Sequence, residues 1–92
     1  MKNENLNRNN GKHYSARKLD LLQKIVASLA ILDNRYKCGF EFVFMATRGY
    51  LWSNIKITGT SYYSIDIMDI NSTDAINDLT NYAHDLEAKI NE

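Results

Sequence analysis

Proline is absent from the 92 residues, so no helix or strand is broken by a residue lacking an amide donor. Cysteine occurs once, as Cys38. That excludes an intramolecular disulfide and suits a small buried hydrophobe better than a nucleophile. The four glycines, Gly11, Gly39, Gly49 and Gly59, are scattered and form no phosphate-cradling loop. No apolar run approaches the ~18 residues of a membrane span. The amino-terminal segment has no apolar core of the kind a signal peptide carries, so a cytoplasmic, intracellular location is expected. His13 and His84 stand at no metal-ligand spacing from Cys or acid, so neither a metal nor another cofactor is expected. Ser, His and Asp occur without a nucleophile elbow. Asp66 and Asp69 fall on opposite strand faces, so they do not form a carboxylate pair for acid–base work. These absences together lead to the expectation that the chain is not an enzyme.

What is present is a central stretch, Cys38 to Ile70, with three runs of period two separated by glycine turns. Phe40, Phe42, Phe44 and Ala46 alternate with Glu41, Val43, Met45 and Thr47. Gly49 can supply the positive φ of a tight hairpin. In the second run Leu51, Ser53, Ile55 and Ile57 share one face, and Trp52, Asn54, Lys56 and Thr58 the other. Gly59-Thr60-Ser61 turns the chain again, and Tyr63, Ile65 and Ile67 then alternate with Tyr62, Ser64, Asp66 and Met68. Short turns imply an antiparallel meander.

Amphipathic segments flank the meander. Ser15 to Asn34 is predicted as a helix capped by Ser15. Its stripe of Leu19, Leu22, Ile25, Val26, Leu29 and Leu32, widened by Leu21 and Ile31, suits burial on more than one side. Asp33-Asn34 is expected to end it. A second helix is predicted after Asn71-Ser72-Thr73-Asp74, capped by Asn71 or Ser72. Ile76, Leu79, Ala83, Leu86 and Ile90 form its narrow apolar stripe, and Asn77, Asp78, Asn81, Asp85 and Lys89 its solvated face. The predicted fold is α+β: a single α-β-β-β-α domain over residues 15–92, with a three-stranded antiparallel meander packed against two helices. Residues 1–14 are Asn-rich and basic and are expected to form a flexible tail.

One sheet face, with the three Phe residues and the Leu and Ile side chains, belongs against the helices. The other carries Val43, Met45, Trp52, Tyr62 and Met68 among Glu41, Asn54, Lys56 and Asp66. A solvated antiparallel face is usually more cleanly polar, whereas Trp, Tyr and Met are typical of interface cores. Either something docks there, or a helix of the same chain covers it, or the strand parity slips at a bulge.

Net charge is zero but uneven. Residues 1–37 hold eight basic and three acidic side chains, and residues 38–92 three basic and eight acidic. Such a split suits a basic helix lying beside an acidic one, or a basic arm for nucleic acid. The second reading would use Lys12, Arg17, Lys18, Arg48, Tyr50 and Lys56. In topology the helix–three strands–helix order resembles the double-stranded-RNA-binding domain. That family grips phosphates with a Lys-rich stretch at the start of its second helix. The matching stretch here, Asn71 to Asp78, has two acids and no base and would repel a phosphate, so no RNA-binding residue carries over. Small, motif-free, Asn-rich chains of this kind look like orphan proteins of phages and mobile elements, some of which inhibit defence complexes inside an infected bacterial host. The leading expectation is a non-enzymatic protein-binding module acting by occupying a partner surface, with Val43, Met45, Trp52, Tyr62 and Met68 at its centre. Nucleic-acid binding and a structural homodimer rank after it.

Overall fold

The computed structural model describes residues 14–59 and 61–92. The expected tail, Lys12 included, and Thr60 of the second turn lie outside the described residues, save for Tyr14. The Tyr14 hydroxyl donates to the Ala46 carbonyl at 2.7 Å, and its ring meets Phe44 edge-on at 5.7 Å.

The chain runs α1 (Ala16–Tyr36), β1 (Glu41–Met45), β2 (Tyr50–Ile57), β3 (Ser61–Ile67) and α2 (Ala75–Ile90). The strands form one antiparallel sheet in the order β1-β2-β3, so the α+β meander is as the alternation implied. Phe42 pairs with Ser53, which pairs with Ile65; Val43 pairs with Trp52, which pairs with Asp66. No bulge shifts the parity. The β1–β2 turn is closed by Arg48 N–H to the Met45 carbonyl and Gly49 N–H to the Ala46 carbonyl, with Gly49 at φ +68°. Ala46, expected at the end of the inward run, is an exposed turn residue.

Both helices pack on the face of Leu51, Ile55, Ile57, Ile65 and Ile67. Ile25, Leu29 and Leu32 of α1 and Leu79, Tyr82 and Leu86 of α2 close the core over them. Ser15 caps α1 by accepting the Lys18 amide at 3.2 Å. The helix outruns its expected end by two residues, because Asp33 supports the exit instead of breaking the helix. Its carbonyl accepts the Lys37 amide at 2.7 Å, with Lys37 left-handed at φ 56°, and its carboxylate accepts the Gly39 amide at 2.7 Å. At α2 the cap is Asp74, without a side-chain bond, and not Asn71 or Ser72. The Asn71 amide is held instead by the Asp69 carboxylate at 2.9 Å, inside a turn that precedes the helix.

Three packing expectations need correction. Phe40, Phe42 and Phe44 lie on the core side but are only partly buried, since β1 is an edge strand that the helices do not fully cover. Leu19, Val26 and Ile31 of the α1 stripe are exposed, because the stripe is wider than the sheet and α2 together can cover. Lys89 is 6% exposed and not solvated. It lies one turn beyond the buried Leu86, with its ammonium 2.8 Å from the Glu92 carboxylate and 5.6 Å from the centre of the Tyr36 ring.

Candidate protein-docking face

Because both helices lie on one side, the outer side of the sheet has no covering layer among the described residues. Its apolar side chains are left in water: Val43 is 42% exposed, Met45 41%, Tyr62 61% and Met68 74%, with Trp52 half-buried among its neighbours. Trp52 points away from the interior that holds Phe42, as the register requires.

The register arranges this face in rows. Met45 and Tyr50 are paired at the hairpin end, and Met68 follows β3 at the same end. Val43, Trp52 and Asp66 form the next row, and Glu41, Asn54 and Ser64 the third. Lys56 and Tyr62 make the last. The third row is polar and internally bonded, with the Asn54 amide donating to the Glu41 carboxylate at 3.0 Å. It separates Tyr62 from the other four candidates. The contiguous apolar end is therefore Val43, Met45, Trp52 and Met68 together with Tyr50. Sequence reasoning placed Tyr50 with the nucleic-acid residues; the signal that could have moved it was its direct pairing with Met45 across a four-residue turn.

Met45, Arg48, Tyr50 and Met68 line an open hollow of about 340 Å³ at this end. Enclosure by its neighbours, then the nearby Asp66 carboxylate and its charge, raise the Tyr50 phenol above the ordinary 10.0, so the hydroxyl stays protonated in the working pH range. An apolar floor with one guanidinium at its edge matches a protein interface, where a desolvated centre is ringed by polar groups.

The described residues among those named for nucleic acid do not converge. Arg48 and Tyr50 lie at the hairpin end of the outer face, and Lys56 at the opposite end of β2. Arg17 lies in the helix layer, where it lines a cleft with Asp20, Lys24, His84 and Glu87. The Lys18 ammonium donates to the Ile70 carbonyl at 2.6 Å and to the Ser72 carbonyl at 3.3 Å, so it clamps α1 to the turn before α2. Among the described residues no group of three or more His, Cys, Asp or Glu could hold a metal ion, and no helix is long and apolar enough to cross a membrane. No family model, curated protein or solved structure matches the chain.

Proposed function

We propose that the protein is a non-enzymatic binding module that acts by occupying a surface of a partner protein through the hairpin end of its outer sheet face. The observation that carries this reading is the bare apolar cluster of Val43, Met45, Tyr50, Trp52 and Met68 on a face that neither helix covers. Cross-strand contacts justify some apolar residues on an outer face, but not a run of exposed Met side chains beside a Trp. A module that works by occupancy suits an inhibitor of a larger assembly, and this reading includes that role.

The test is capture from the native cell with the tagged full chain and with Trp52→Ala. Proteins held by the parent and lost by a folded Trp52→Ala support the reading. Equal recovery on both baits refutes it.

A further inference from the structure

Among the described residues sulfur occurs in three side chains, Cys38, Met45 and Met68, and two of them share one hollow. Met45 ends β1 and pairs with Tyr50. Met68 stands one step beyond the Leu51–Ile67 pair, which sets it on the other side of Tyr50. The three make a Met–Tyr–Met row across the sheet, and with Arg48 they line the open hollow at the hairpin end. At 41% and 74% exposure, Met45 and Met68 are both open to a small solute. Neither belongs to the core, whereas Cys38 packs against it. The fold therefore does not rest on these two thioethers, but the apolar character of the hollow does.

We propose that Met45 and Met68 are a paired oxidation site, and that their conversion to methionine sulfoxide by hydrogen peroxide releases the partner protein from the outer face. This inference rests on the docking reading above. In each step a sulfur lone pair attacks one peroxide oxygen. The S–O bond forms as the O–O bond breaks, and the thioether gives up two electrons to the peroxide. The proton of the transferred oxygen passes to the departing hydroxide, which leaves as water. A thioether fills an apolar contact adaptably and sits well against an aromatic ring. A sulfoxide is polar, and burying its oxygen at the centre of an apolar contact leaves the lost hydration uncompensated. Because the two sulfurs flank Tyr50, a partner seated in the hollow meets both. Sulfoxides are enzymatically reducible, so the release is reversible.

The test compares the parent with Met45→Leu/Met68→Leu, which keeps the apolar bulk and retains Met1 and Cys38 as internal controls. Both full chains are treated with hydrogen peroxide and mapped by peptide mass spectrometry. Each is then passed over a phenyl-substituted resin and used as bait for capture from the native cell. The parent should gain one oxygen on Met45 and one on Met68 with no change in its circular dichroism spectrum. Its retention on the resin should fall, and its recovery of the proteins that Trp52→Ala loses should drop about tenfold or more. Methionine sulfoxide reductases acting on both epimers should restore each. The double variant should behave like the untreated parent with or without peroxide. Four results overturn the proposal: an oxidised parent that keeps its resin retention and its proteins, a double variant that loses them equally, unfolding of the oxidised parent, or methionines that resist peroxide until urea is added. If untreated Trp52→Ala loses no protein, the docking reading itself fails and the switch with it; an oxidised parent that still holds its partner sinks the switch alone.

Discussion

At Gly49 two demands coincide. The backbone is left-handed at φ +68°, and a Cβ there would sit 3.0 Å from the Asp69 carboxylate and 3.3 Å from the Ile70 amide, the same amide that donates to the Gly49 carbonyl at 2.8 Å. Gly59 has a similar φ of +80° but open space around it. Gly59→Ala should therefore cost only the left-handed penalty, about 1–2 kcal/mol. Gly49→Ala should cost more by a further kcal/mol or so of displaced turn, and paired urea titrations read the difference. Ser53 offers a second test. Its hydroxyl is fully buried and has one proton, which goes to the Glu41 carbonyl at 2.7 Å, a pure acceptor. Tyr82, 3.0 Å away, must then donate to Ser53. Ser53→Ala strands a buried phenol and should cost about 1–3 kcal/mol, whereas Tyr82→Phe leaves Ser53 bonded and should cost about 1 kcal/mol. Burial raises the Tyr82 phenol above its ordinary 10.0. A raised folded-state value means that the native state holds its proton longer than the unfolded one. The associated stability is complete below pH 10 and lost as the pH climbs through the raised value. The stability gap between parent and Tyr82→Phe should accordingly narrow above pH 10 and stay constant below it.

Among the elements, the turn between β3 and α2 depends most on its neighbours. It carries the fully buried Ile70, and Lys18 holds it from α1. Lys18→Met keeps much of the side-chain length and removes two charge-assisted bonds. It should lower stability by about 1–2 kcal/mol, a fall of roughly 4–16 °C in Tm for a domain this small. A phosphate-binding lysine would instead show no stability change. No local signal announced this clamp, because Lys18 and Ile70 are 52 residues apart and a lysine on a helix of that charge looks solvated. The strands were far more legible. Period two assigned Val43 and Trp52 to one side and Phe42 and Ser53 to the other, since no bulge intervenes. Helix ends were less so. Asp33-Asn34 looks like a terminator by residue type, yet Asp33 bonds forward to Lys37 and Gly39 and carries α1 two residues further. Lys89 was assigned to water by type as well. Its placement depends on Tyr36, brought near only when α1 and α2 lie together.

On the scale of the whole molecule, the candidate surface arises from one mismatch: two helices on one side cannot cover both faces of a three-stranded sheet. The alternation showed that the outer face was too apolar. It could not show where the patch stops, because that depends on cross-strand register, which sets the polar row of Glu41, Asn54 and Ser64 between Trp52 and Tyr62. This geography yields a graded prediction. Trp52 sits amid Val43, Tyr50 and Asp66, so truncation removes cross-strand contacts worth about 0.2–1 kcal/mol to the fold and should cost partner binding about 2 kcal/mol or more. Tyr62 is more exposed than Trp52 but stands beyond the polar row with Lys56, so Tyr62→Ala should cost binding less than about 0.5 kcal/mol. Recruitment by exposure alone would reverse that order. Affinity should also vary little between low and high salt, since the cluster holds a single cation, Arg48, and a single acid, Asp66, around an apolar floor. Titration of the captured partner against the parent and both variants at two ionic strengths distinguishes the cases. A steep salt dependence would transfer the function to the basic residues, and a larger loss from Tyr62→Ala would move the contact to the other end of the sheet.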